Sequence, residues 1–286
     1  MSEPTVLPPV RRAARDRNGL LRGLRYPSTI VGVIVAVSII AIGLLAPILP
    51  IPSPYAQSPD AFLPPSAQHW LGTDEFGRDL FSRVVYGIRQ DALVGAIAVP
   101  LGAAIGVVLG LVSTTSKYLD IVLQRIFDVS LAFAGIVMGV TVAAILGPGI
   151  MAVLVTVTLI NIPLFGRLTR SAARAQLSRD YVVAARVTGA GPVRVLGQHV
   201  LPNAVDPLVV QAALSLSIAV FIEGGMSFVG IGVVPPEPSL GALLRSSTDF
   251  MSISPQYALA PMIVLTALVM SFYVISDGLN RGLLKR

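Results

Sequence analysis

A chain of 286 residues that is 54% hydrophobic and 13% charged, with a mean hydropathy of +0.78, has the composition of a membrane protein, since a soluble domain carries nearer a quarter charged residues. It has no cysteine, which excludes disulfides, cysteine metal sites and thiol catalysis together. The net charge is +6; in such a chain a basic excess reports topology, because Lys and Arg collect in cytoplasmic loops, and does not point to nucleic acid.

Residues 1–27 form a basic tail with Arg11, Arg12, Arg15, Arg17, Arg22 and Arg25. Residues 28–49 carry no charge, exceed a signal-peptide core and show no small-residue cleavage site, so they are expected to be a first transmembrane helix. Residues 50–91 read as an extracytoplasmic loop, proline-rich up to Pro65 and holding the single tryptophan, Trp70, as an interface anchor. Apolar spacing around Arg83 and Arg89 predicts an interfacial helix over Leu80–Ile88. His69, Asp74, Glu75 and Asp79 match no calcium-loop spacing and read as an acidic surface loop rather than a metal site.

Residues 92–286 are expected to be a five-helix core. The second span, Ala92–Thr114, carries Gly95, Gly102, Gly106 and Gly110, which put small residues on one face for close helix packing. The third runs from Ile121 to Leu146, with Arg125 and Asp128 placed to pair on one face. After the turn at Gly147-Pro148-Gly149 comes a short fourth span, Ile150–Phe165, and then a basic interval, 166–206. The fifth span, Pro207–Val229, is expected to be interrupted at Glu223-Gly224-Gly225, and the sixth is Tyr257–Ser276. An intramembrane carboxylate hints at function by default, so Glu223 is a candidate for the translocation path, against a structural role at a kink.

Six spans place both termini on one side. With that side inside, the inner Lys and Arg are six in the tail, Lys117 and Arg125, six in 166–206, and three at the end; the outer ones are Arg78, Arg83, Arg89 and Arg245. The asymmetry predicts an N-in, C-in polytopic all-α protein with 166–206 in the cytoplasm. Within that interval Asp180–Asn203 reads as a helix–turn–helix. Asp180 suits an N-cap, Gly189 a left-handed turn and Pro192 a second start, while Pro202 disfavours continuation.

The chemistry of nucleotide hydrolysis is missing. Neither lysine, Lys117 or Lys285, follows a glycine as a phosphate-binding loop requires. The two histidines, His69 and His199, fall on opposite predicted sides, so no two-histidine metal site forms, and no G-x-S-x-G elbow occurs. No catalytic residue and no metal ligand is expected. A self-sufficient ion-coupled secondary transporter stays open as an alternative, although one carboxylate makes no proton relay.

The pattern Ala184-Ala185-x3-Gly189-x11-Leu201-Pro202 resembles the EAA motif of binding-protein-dependent ABC importer permeases. The stretches at 69–87, 191–203, 227–232, 235–241 and 277–281 resemble the dipeptide/oligopeptide/nickel permeases, and among them the C-type subunit of a heteromeric pair. The resemblance implies the type I importer permease fold in a bacterial inner membrane. It implies a homologous B-type permease, two ATP-binding subunits that use ATP and Mg, and an extracytoplasmic substrate-binding protein as partners, beside membrane lipid. No cofactor would be bound by this chain. Ala184, Ala185, Gly189 and Leu201 would form the coupling helix that docks on the ATPase. Two residues depart from the pattern: Val183 stands where the motif has glutamate, and Leu240 where tryptophan is frequent.

Overall fold

The computed structural model describes residues 19–284; the tail arginines Arg11, Arg12, Arg15 and Arg17 and the terminal pair Lys285-Arg286, all counted above on the inner side, lie outside the described residues. Eleven α-helices account for most of the described chain, and five of them are each long and apolar enough to cross a membrane.

The described chain opens with α1 (Gly19–Leu24) and α2 (Pro27–Leu45), whose first position is the proline that suits a helix start. The next helix, α3 (Leu80–Ser113), is 34 residues long, and Asp79 caps it by accepting the Ser82 N–H at 2.7 Å. The interfacial helix expected over Leu80–Ile88 is therefore the first part of the second span. Nothing between Ile88 and Ala92 breaks a helix, so the two fuse. At 1.5 Å per residue α3 extends about 51 Å, well beyond a hydrocarbon core of about 30 Å, so one end must project.

The expected third span is two helices, α4 (Lys117–Ala132) and α5 (Gly135–Leu146), bent by 94°. Each half answers to a different neighbour. On α4, Asp120 binds Arg170 (Nη2, 2.8 Å) and Arg174 (2.7 Å) of α6 (Ile150–Leu177), and Asp128 reaches Arg167 at 3.6 Å. Asp128 thus pairs across helices and not with Arg125 as expected. On α5, Gly135 and Gly139 lie where a Cβ would press on Ile222 and Met226 of α9 (Val205–Val229). Counting the bent pair as one span raises the candidates from five to six.

Helix α6 continues about three turns past the expected end at Phe165, and its seam with α3 is made by glycine. A Cβ on Gly102, Gly106 or Gly110 would meet Asn161, Phe165 or Thr169 at 2.6–2.9 Å, whereas Gly95 faces Leu216 of α9. Helix α9 runs through Glu223-Gly224-Gly225 without the expected interruption and ends at Gly230, in a left-handed conformation at φ +92. Between α6 and α9 stand two short helices, α7 (Asp180–Val187) and α8 (Pro192–Arg194). After α9 the chain continues through α10 (Leu240–Ser247) and α11 (Pro255–Leu284).

One apolar core joins α3, α5, α6 and α9 around Val153, Phe165 and Met226; a second joins α3, α9, α10 and α11 around Leu80, Leu240, Leu243 and Tyr257. Outside them, α2 and α3 expose apolar rows such as Val31, Ile34 and Val37, and Ile97, Leu101 and Val108. In a membrane such rows face lipid or a partner helix rather than water.

Candidate functional site

The molecule has two chemically distinct ends. At one, the 50–79 segment packs over the start of α3 and against the 230–254 region. Asp74 is fully buried; its carboxylate accepts the N–H groups of Phe76 and Arg78 (both 2.9 Å) and the Arg78 Nε–H (2.6 Å), with Arg83 at 3.5 Å. Asp79, beside capping α3, binds His69 at 2.9 Å. The expected acidic surface loop is thus a buried ionic knot. Among the described residues no group of three or more His, Cys, Asp or Glu side chains converges on a metal position. Trp70 is exposed and tilts against Phe81 at 4.8 Å. Tyr55 donates to Glu237 at 2.7 Å, and partial burial with that hydrogen bond pushes its hydroxyl up to about 12, so it stays a donor at physiological pH.

Below this knot lie two buried carboxyl groups. Glu223 of α9 and Asp91 of α3 are both fully buried and lie beside each other. Ser227 donates to Glu223 at 2.8 Å and itself accepts the Val233 N–H at 2.9 Å; Ser239, at the start of α10, also contacts Glu223. Among the described residues no cation lies beside them, and both Asp91 oxygens and Glu223 Oε2 are buried without a hydrogen-bond donor. Glu223 is therefore inside the helix wall, turned toward Asp91, and not on a surface of this chain. Sequence reasoning misses Asp91, although a carboxyl buried as Glu223 is needs a partner, and Asp91 is an acidic residue in a largely apolar helix.

The opposite end carries the Asp180–Asn203 element. Helix α7 forms as expected, with Arg179 rather than Asp180 at the cap position. Its end is a Schellman turn: Gly189, at φ +85, donates to the Arg186 carbonyl (3.0 Å), and Ala190 donates to the Ala185 carbonyl (3.0 Å). Pro192 then starts α8. The expected single helix to Leu201 is instead α8, a π-helical stretch Val195–Val200, and a 3₁₀ turn Leu201–Asn203. Pro202 has no N–H to give and its ring crowds the preceding turn, which is the physical reason the ladder widens. Asn203 compensates by donating from Nδ2 to the His199 carbonyl at 2.6 Å.

The element is seated firmly. Val182, Val195 and Val200 form a buried cluster with Ala173 of α6. Of the four residues that carry the motif, Ala184 is exposed, Ala185 is buried at the base, Gly189 has nothing within 4 Å of where a Cβ would stand, and Leu201 packs partly against the main core. Gly189 is thus required by its backbone angle and not by crowding. The exposed surface mixes valines with arginines: Val183 is 52% exposed, Val187 82% and Val193 83%, and Arg179, Arg186 and Arg194 are exposed beside them. A cavity of about 620 Å³ lies between the element and the end of α3, lined by Val108, Leu111, Val112 and Leu177 and, from the element itself, by Arg186 and Val193.

Residues 102–286 match the family model described as "binding-protein-dependent transport system inner membrane component". The chain is 37% identical over 256 residues, 89% of its length and 84% of the relative's, to the dipeptide transport system permease protein DppC of Alkalihalophilus pseudofirmus. It is 35% identical to the di/tripeptide transport system permease protein DppC of Pseudomonas aeruginosa, covering 88% of this chain and 86% of that one. It is 36% identical to the glutathione transport system permease protein GsiD of Pectobacterium atrosepticum, over 77% of this chain and 73% of that one. In fold it is similar to a chain of the MetNI methionine ABC transporter in an inward-facing conformation, with a TM-score of 0.57 and 19% identity over 68% of this chain and 93% of the other. The helical framework, the element turned at Gly189 and these similarities lead to one conclusion: the chain belongs to the family of binding-protein-dependent transport system inner membrane components, the permeases of ABC importers.

Proposed function

We propose that this chain is the C-type permease subunit of an ATP-driven importer of short peptides in a bacterial inner membrane. It crosses the membrane six times with both termini inside, the bent α4–α5 pair counting as one crossing. A homologous B-type permease completes the path, two ATP-binding subunits hydrolyse ATP with Mg, and an extracytoplasmic binding protein delivers substrate. This chain holds no catalytic residue and binds no cofactor of its own. Family membership displaces the alternative of a self-sufficient ion-coupled carrier.

The observation that carries the proposal is the exposed helix–turn–helix on either side of Gly189, seated on α6. Held on α6 by buried valines, it moves as one body with the helix it caps, as mechanical coupling between an ATPase and a helical bundle requires. Substrate class follows from the relatives, named for dipeptides, di/tripeptides and glutathione. Glu223 acts with Asp91 in holding α3, α9 and α10 together beside the path.

The test is the reconstituted complex. Gly189→Val puts a β-branched residue at a positive φ, whereas Gly189→Asn places there a residue that tolerates it. Valine is expected to leave the subunit in the membrane but lower substrate-stimulated ATPase activity and labelled-dipeptide uptake by about tenfold or more, and asparagine to stay within about twofold of the parent. Normal uptake with valine defeats the coupling role.

A further inference from the structure

Five exposed apolar residues, Ile97, Leu101, Ile105, Val108 and Val112, run down α3 at i, i+4, i+8, i+11 and i+15. That spacing is one helix face. The last two are also walls of the cavity of about 620 Å³ between the end of α3 and the Asp180–Asn203 element. Stripe and cavity are therefore one continuous apolar surface. Where it ends the lining turns polar, with Thr114 and Thr115 on the α3 side and Arg186 on the element side. Arg186 is the only charged residue of the lining, and it is exposed. Among the described residues no carboxylate pairs with it.

We propose that this cavity binds an anionic phospholipid of the inner leaflet, one acyl chain following the α3 stripe into the cavity and the phosphate resting on Arg186. The inference rests on the six-span topology proposed above, in which Thr114 and Thr115 stand where α3 leaves the membrane on the cytoplasmic side. The volume falls within the range of about 300–1,000 Å³ that small-molecule sites occupy. An apolar wall continuous with a lipid-facing helix suits a chain that enters from the bilayer. A basic group between helices at the cytoplasmic boundary suits an anionic head, and a guanidinium can hold two phosphate oxygens at once. A short peptide is the poorer match, because its ammonium group would meet no carboxylate in the lining. A chain seated here touches both α3 and the Asp180–Asn203 element, so one lipid molecule bridges the two.

The test uses the full complex. This chain has no cysteine, so a single introduced thiol reports on the cavity. Leu196→Cys, on the cavity wall, is treated with a small membrane-impermeant maleimide in vesicles of phosphatidylcholine, with or without phosphatidylglycerol, and the labelled peptide is quantified. Phosphatidylglycerol is expected to slow labelling about tenfold, as occupancy at about ten times Kd would. Arg186→Gln should abolish that difference, whereas Arg186→Lys, which keeps the charge, should retain it. Val112→Trp, which fills the cavity from α3, should slow labelling in both vesicles and leave no difference between them. Equal labelling of the parent thiol in the two vesicles overturns the proposal. Protection by glycerol 3-phosphate without lipid also overturns it, since the apolar wall would then play no part. Labelling that is slow in both vesicles and becomes fast once the ATP-binding subunits are stripped shows a protein occupant and overturns it as well. Ala190→Cys, a smaller change in the same wall, gives the same reading if Leu196→Cys does not assemble. Gln198→Cys, exposed and outside the lining, tests the topology separately. Its labelling only when the cytoplasmic face is outward upholds the six-span reading, and labelling in the opposite vesicles overturns that reading. If the topology holds and both lipids give equal labelling, the lipid site alone falls.

Discussion

Asp91 and Glu223 show how a residue's meaning depends on what faces it. In the sequence Glu223 is a lone intramembrane carboxylate and so a candidate for contact with substrate. In the fold it is enclosed beside Asp91 and Ser239 and accepts a hydrogen bond from Ser227. Glu223→Gln puts an amide donor beside Asp91 and is expected to preserve complex assembly and leave the KM for peptide uptake within about twofold. Glu223→Leu leaves Asp91 buried without a partner and should cost about 1–3 kcal/mol, read as a lowered Tm of the purified complex. A changed KM with normal Tm in the glutamine variant would put Glu223 back in contact with substrate.

Among the elements, the α3–α6 seam was legible and the α4–α5 bend was not. Glycines four apart announce close packing whatever the partner, because absence of a side chain is a local property. Gly106 faces Phe165 and the backbone of α6, so Gly106→Leu must separate the helices; a loss of about 1–3 kcal/mol or more is expected in thermal unfolding, with little assembled complex. Gly197→Ala, where a Cβ meets open space, should be neutral in the same measurement. The bend at Phe133-Ala134 carries no proline and no charge. It exists because Asp120 and Asp128 hold α4 to the arginines of α6 while Gly135 and Gly139 seat α5 on α9, and neither contact is visible along the chain. Asp120→Asn removes both of the ion pairs at its carboxylate and is expected to lower Tm in a salt-dependent way, checked by melting at low and high salt.

At the scale of the molecule, the exposed apolar rows and the seated element describe a part of a larger assembly. The chain reconstituted alone should show no uptake with either an ion gradient or ATP, and activity should return only with the partner permease, the ATP-binding subunits and the binding protein; uptake by the chain alone would contradict the proposed function. Composition by itself determined the membrane class, because burying an apolar run in lipid needs no knowledge of its neighbours. The turn at Gly189 was equally legible, since a left-handed residue followed by proline is a local backbone matter. Tertiary structure alone decided that the acidic 69–79 loop is a buried knot, that Glu223 meets Asp91, and which arginines of 166–206 are paired. Charges far apart in sequence find each other only when helices pack, and burial makes an unpaired one too costly to leave.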